Sequence, residues 1–443
     1  MSLARGEPHS PPVPQKAASR LGAFVAFVAL ALLVATLLAM GAGWWPGWFR
    51  DSRARELDRL VDMASYRKAK IYGQTLDPTF LNQHAILWAR ILRLNSDLVL
   101  AGEFLKKATP ADPLWSQIEM ERGLLRLENG ELADNLELAM RLAEARPELR
   151  DRIYEGAVRA YLRQLLPGPA GELLKRWQRE QPDLLYRLEA AHLHDFLDDP
   201  EGCLTELEIA KTLSPHNPEI DGWMGKCQSA LQHNQAAREN LEYALGLLGH
   251  QSDWELALAV VLDRLGLPDE AIALLSAILE RDPGEGQALA QRGRIFLQNQ
   301  SPAKAQTDLQ KALRVEPGNT IAADNLRKAL FELGKTDEAR ELGLRIPQME
   351  KDQKRIRELI QVEIQKKPND PDVMHELAAI FLRSGYPKSA IFWVRKALLI
   401  APNHVPSHEL MAGYYEATGN PGLAAEHRQK TSANPSRPSG VGR

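Results

Sequence analysis

Two patterns of apolar positions divide the chain. From Leu21 to Gly43 the run LGAFVAFVALALLVATLLAMGAG carries no charge, and at about 1.5 Å per residue it is long enough to cross a bilayer core of about 30 Å. Trp44, Trp45 and Trp48 follow where an interfacial aromatic belt would sit. The run is longer than the apolar core of a cleaved signal peptide and is followed by bulky tryptophans rather than a small-residue cleavage site. A retained spanning helix is therefore expected over 21–43. Arg5, Lys16 and Arg20 precede it and Arg50, Arg53, Arg55 and Arg59 follow, which leaves orientation open. The basic residues of the Pro-rich tail, 1–20, tilt it toward a cytoplasmic tail with the body outside.

From about Asn82 onward the apolar pattern becomes a repeat of about 34 residues. Helix-terminating prolines fall at Pro113, Pro147, Pro182 and Pro215, Gly249 takes one turn, and Pro283 and Pro317 resume the series. Proline lacks the backbone donor a continuing helix needs, so each marks the end of a helical hairpin. Between them small residues recur at Ala170, Cys203, Ala237, Ala271, Ala305 and Ala339, 33 or 34 apart, where two antiparallel helices can approach closely.

The stretch Pro371–His404, PDVMHELAAIFLRSGYPKSAIFWVRKALLIAPNH, resembles the tetratricopeptide repeat. Leu377, Ala378, Phe381, Gly385, Ala390, Val394, Ala397 and Pro402 stand in register, and Met374 replaces the usual tryptophan. Further copies start at Gly286 (Gly293, Phe296, Ala305, Leu309, Ala312, Pro317), Ser252 (Ala259, Leu262, Gly266, Ala271, Leu275, Pro283) and Asn82 (Ala89, Leu92, Ala101, Leu105, Ala108, Pro113). The unit from Ser116 departs from the pattern, with Arg126 and Asn135 at apolar and small positions. The last unit, from Val405, has Arg428 at an apolar position, which suits a terminal repeat facing water.

The resemblance implies an all-α fold, a right-handed α-solenoid of antiparallel helix pairs behind one N-terminal transmembrane helix. The expected order is a disordered tail (1–20), the membrane helix (21–43), a charged and partly helical linker (44–81), an array of about eight units (82–346), an irregular half-repeat (347–370), a C-terminal pair (371–428) and a disordered tail (429–443). The half-repeat follows from the 51 residues between Ala339 and Ala390. Pro347 interrupts the register there, and Ile356, Leu359, Ile360 and Ile364 keep helical spacing on a charged background. It is either a degenerate repeat or a joint that redirects the array.

Composition narrows the chemistry. The net charge of −3 does not favour nucleic acid as a primary partner. Cys203 and Cys227 are the two cysteines; they form no zinc or redox motif, and Cys203 takes the place of a small packing residue. No nucleophile elbow, phosphate loop or metalloprotease motif occurs, and no cofactor or metal is called for. His192 and His194 beside Asp195, Asp198 and Asp199 fall on different sides of a helix, and His404 and His408 flank a helix start. The reading is not an enzyme.

In tetratricopeptide arrays the first helix of each unit lines a concave groove that holds partner segments. Carried onto this chain, one groove position gives Arg90, Leu124, Arg159, His192, Lys226, Val260, Arg294, Lys328, Ala379 and Gly413, with Arg152 and Arg163 nearby. Arg90, Arg152, Arg159, Arg163, His192, Lys226, Arg294 and Lys328 would form a basic ladder favouring acidic or phosphorylated protein segments. The set of residues that holds chaperone tails is not reproduced. The resemblance thus implies a scaffold or adaptor at a membrane; the alternatives are an assembly factor for envelope components and a regulatory subunit of a membrane-associated enzyme complex.

Overall fold

A second set of prolines, apart from those that end the hairpins, stands at the first position of helices, where a missing N–H costs nothing because no intrahelical acceptor exists there. Pro167, Pro200, Pro218, Pro268, Pro302, Pro371 and Pro387 all open helices this way. Side-chain caps add to the signal: Asn217 accepts from the Glu219 N–H, Asn319 from Ala322 and Asp370 from Asp372. The computed structural model describes residues 47–107, 115–131, 133–179 and 183–432. The apolar run 21–43 and both terminal tails, 1–20 and 433–443, lie outside the described residues. Among the described residues no helix is long and apolar enough to cross a membrane, and no strand occurs.

The chain divides at Arg59 into two compact units. Of the first, the helix opening at Gly47 is described. The second begins with short helices at Tyr66–Gln74 and Pro78–Gln83 and continues as helical hairpins. These pair Ala85–Leu94 with Leu98–Lys106, Trp115–Glu128 with Ala133–Ala145, Arg150–Arg163 with Pro167–Gln178, Leu184–Phe196 with Pro200–Leu213, and Pro218–Ala230 with Asn234–Leu248. Ser252–Arg264 then pairs with Pro268–Arg281, Gly286–Gln298 with Pro302–Val315, Thr320–Glu332 with Thr336–Glu358, Pro371–Arg383 with Pro387–Ile400, and Val405–Ala417 with Pro421–Ser432. The last helix runs past the expected boundary at 428 to Ser432; the next proline is Pro435.

One left-handed residue closes the first helix of each hairpin. It recurs at Ser96, Gly130, Leu165, Asp198, Gln232, Gly266, Gln300, Gly334, Gly385 and Gly419. The residue after it turns its N–H back onto the helix, as in Leu267 to Leu262 O at 2.9 Å and Tyr386 to Phe381 O at 2.8 Å, so the last carbonyls are satisfied in the manner of a Schellman cap.

From Ala237 to Ile346 the hairpins share one continuous apolar core. Three of its second helices contribute the same positions, Ala237, Leu241 and Ala244, then Ala271, Leu275 and Ile278, then Ala305, Leu309 and Ala312, none more than 1% exposed. Small residues on the facing helix make this possible, since a Cβ on Gly293 would lie 2.6 Å from Leu309 Cγ. Cys203 is fully buried as expected, with its sulfur 2.7 Å from that of Cys227.

The second helix of the eighth hairpin, opened at Thr336, continues through Pro347 to Glu358 and passes into a wider turn at Leu359–Glu363. The irregular stretch is thus an extension of a repeat helix. It holds the C-terminal hairpins through paired ion bridges: Arg355 grips Glu376 at 2.7 and 2.8 Å, and Arg383 grips Asp352 at 2.9 and 2.6 Å. Its apolar end buries Leu359 and Ile364 against Trp393 and against Leu166, which lies in the turn after Arg150–Arg163. Leu165, held at φ 57°, presents itself to the same cluster.

Candidate functional site

The first helices of successive hairpins carry the residues read as a basic ladder, and the structure gives each of them a partner. All eight residues lie within 3.8 Å of a carboxylate oxygen. Arg90 lies beside Glu121, Arg152 beside Asp62, Arg163 on Glu128 and His192 on Glu189. Lys226 binds Asp195 at 2.9 Å and Arg294 binds Asp263 at 2.9 Å. Both acids lie 31 residues earlier, one repeat less three, so cation and acid meet across adjacent first helices. Lys328 pairs with Asp324 within one helix. The ladder is an alternation of charges. His194 turns away to Asp199, while His192 packs on Trp223.

In the first half of the array the alternation goes inside. Arg93, 1% exposed, reaches Glu121 at 2.9 Å and Glu128 at 2.6 Å. Burial alone would lower the Arg93 pKa, but the charges of Glu121, Glu128 and Glu155 raise it above its ordinary value. Arg159 bonds Glu189 at 2.7 Å and the Leu94 carbonyl at 3.0 Å. Burial opposes ionisation of Glu189, yet Arg159 and His192 hold it down to about 2. Glu155, wholly buried, is instead raised by burial despite Arg159.

Across this ionic face lies a piece of the chain itself. The stretch around Tyr66–Gln74, expected only to connect membrane and array, crosses the first helices of several hairpins. The Tyr66 hydroxyl donates to Glu155, with the Arg159 guanidinium 5.2 Å from its ring. Asn95 Nδ2 donates to the Tyr66 carbonyl at 2.8 Å, and Asn217 Nδ2 to the Met63 carbonyl at 2.9 Å. Arg67 reaches furthest. Its guanidinium donates to Gln251 at 3.0 Å and to both oxygens of Asp253 at 3.3 and 3.1 Å, and stacks 4.3 Å over the Trp254 ring. Its backbone N–H donates to Glu219 Oε1 at 2.6 Å. Burial pushes the Glu219 carboxyl up to about 7, against the pull of Arg67.

A cavity of about 200 Å³ remains beside this contact, lined among others by Tyr66, Asn95, Arg159, His192, Asn217 and Trp223. Sequence reasoning found Arg159 and His192. It missed Tyr66, Arg67, Glu155 and Glu219, because nothing in a 34-residue period relates residues 150 positions apart. The acids Asp195 and Asp263 were within reach, since their 31-residue offset from Lys226 and Arg294 is itself periodic.

Fold and site together define an all-helical repeat protein whose first-helix face is built of paired charges. Residues 230–293 and 296–362 match the profile described as tetratricopeptide repeat, and this part of the chain is supported as such an array. No curated protein matches the chain. Among solved structures it is similar to the APC/C hetero-tetramer Cut9–Hcn1, at 14% identity over 80% of this chain and 68% of that one, with a TM-score of 0.47. It is similar also to the human IFIT1 dimer with m7Gppp-AAAA, at 16% identity over 84% and 94%, TM-score 0.42. A third is a tetratricopeptide repeat protein from Parabacteroides merdae, at 18% identity over 56% and 92%, TM-score 0.32.

Proposed function

We propose that the chain is a non-catalytic scaffold that holds segments of partner proteins on its first-helix face, tethered to a membrane by the run 21–43. Tetratricopeptide repeats generally mediate protein–protein interaction, and one observation carries the reading to this chain: the face already holds a chain segment, residues 62–73, through side chains from three first helices, at Glu155, Glu219 and Asp253. Acidic or phosphorylated segments would be met in the second half of the array. There the cations keep room for a further oxygen, with Arg294 24% and Lys328 52% exposed, whereas Arg90, at 6%, is committed.

The test places a photo-crosslinking residue at Lys328 or Lys226 in the full chain within native membranes, with Glu239 on an outer helix as the control. The same partner crosslinked from both face positions and not from Glu239 supports the scaffold. Equal labelling from all three sites overturns it.

A further inference from the structure

The contact around Tyr66 and Arg67 has the parts of a peptide-recognition site, supplied by four different hairpins. An aromatic residue enters between the hairpins, where Tyr66 is 5% exposed and its hydroxyl is satisfied by Glu155. An arginine is gripped in a bidentate fork by Asp253 and stacked on Trp254, the combination that guanidinium planarity and delocalised charge favour over an ammonium. A carboxylate caps the start of a helix. Ser65, at the N-cap of Tyr66–Gln74, makes no side-chain cap, and Glu219 receives the Arg67 N–H at 2.6 Å and the Lys68 N–H at 3.4 Å instead. An anion there satisfies orphan donors and complements the helix dipole. Two asparagines, Asn95 and Asn217, read backbone carbonyls. At the far end the helix comes close enough that a Cβ on Gly73 would run into the Trp88 ring.

We propose that the face running from the hairpin opened at Ala85 to the one opened at Ser252 is a receptor for a helix that opens with an aromatic–arginine pair, that residues 62–73 fill it in cis, and that a partner protein presenting the same chemistry binds by replacing them. The occupant is held by side chains of independent hairpins, so only its covalent linkage distinguishes it from an external peptide. That linkage acts as an effective concentration, on the order of millimolar for a short connection, and an untethered copy must compete against it. The chemistry is opposite to that of the face beyond it: Glu219 and Asp253 here select a cation, whereas Arg294 and Lys328 select an anion. The proposal rests on the reading of this face as a docking surface, but peptide exchange is measured with no external partner. Exchange without any crosslinked protein would sink the scaffold and leave this site standing.

The experiment uses the full chain and a fluorescent peptide of residues 60–76. A chain carrying Tyr66→Ala and Arg67→Glu should bind the wild-type peptide at least tenfold more tightly than the unaltered chain does, because its own occupant no longer competes. A peptide carrying R67E should bind neither chain, and adding Asp253→Lys to the altered chain should restore binding of that peptide. Equal binding of the wild-type peptide to both chains, or of both peptides to the altered chain, overturns the proposal. Should the altered chain fail to fold, hydrogen exchange of the unaltered chain decides. Excess wild-type peptide should speed exchange at 66–74, the R67E peptide should not, and no difference between the two overturns it equally.

Discussion

The hairpins from Ala85 to Phe196 and those from Asn234 to Ile346 have the same backbone plan but different interiors. The later set interlocks alanine and leucine at fixed positions in a core with no break. The earlier set keeps an apolar core and adds a buried ionic layer of Arg90, Arg93, Glu121, Glu128, Glu155 and Glu189. The tetratricopeptide match covers the later set and not the earlier one. The difference teaches that a repeat fold tolerates loss of its consensus provided the helices still meet a partner surface, and that the exchange of apolar for ionic contact goes with a fixed occupant. Apolar packing is indifferent to what lies across it, whereas a buried carboxylate such as Glu155 requires a specific donor, and Tyr66 is one.

The sharpest break of the comparison is Arg93→Met. It leaves Glu121 to Arg90 and Glu128 to Arg163, and an uncompensated buried charge, which costs about 3–5 kcal/mol, sets the upper bound of the loss. Because repeat arrays respond locally, hydrogen exchange should quicken between residues 84 and 163 and change little between 252 and 332. A uniform loss would mean that the two halves are one cooperative body. An absent loss would mean that the ionic layer is already wet.

Next in size is Glu219→Gln. The Glu219 carboxyl sits at about 7 in the folded chain and near 4.3 in an unfolded one. Folding therefore takes up a proton between these values, and the stability that Glu219 contributes falls as pH rises from about 4 to 7. Glutamine keeps an acceptor for the Arg67 N–H without a charge to bury. The variant should be more stable at pH 8 by on the order of 3 kcal/mol and flatter between pH 5 and 8, as thermal melts along a pH series would show. A wild-type profile already flat over that interval would deny the burial of this carboxylate.

What was legible beforehand follows the same division. Prolines, small residues and the 34-residue interval located the hairpins, because close helix packing demands a small side chain wherever two axes approach. Arg126 and Asn135 marked the unit that departs from the pattern; there the helix turns Leu124, Leu125 and Leu127 inward and leaves Arg126 exposed. The buried ion layer was illegible, because an arginine in a helical pattern is read as surface, and Arg93 shows that three later carboxylates can draw one inside. The eight ladder residues were found as cations and not as members of pairs. The occupant at Tyr66 and Arg67 escaped because a charged stretch of partial periodicity reads as a connector.

Gly293→Ala probes the apolar half at smaller cost. The new methyl would stand 2.6 Å from Leu309 Cγ and 3.4 Å from the Ala305 carbonyl oxygen, so the two helices must separate by a few tenths of an ångström. Overpacking of this kind costs about 1–3 kcal/mol, and the change should appear as faster exchange confined to 286–332. No loss would show that the hairpin slides freely and that its small residue serves no packing purpose.

The smallest effect separates a structural cation from a recognising one. Arg294→Met removes the pair with Asp263, whose partners are 24% and 13% exposed, so solvent already screens the bridge and the stability cost should stay below about 1 kcal/mol. If the second half reads acidic segments, the same substitution should nonetheless reduce crosslinking from the Lys328 position severalfold, and wild-type crosslinking should weaken as salt rises. Lost crosslinking with intact stability assigns Arg294 to partner binding. A stability loss as large as that of Arg93→Met would instead make it another buried strut and remove the charge distinction between the two halves.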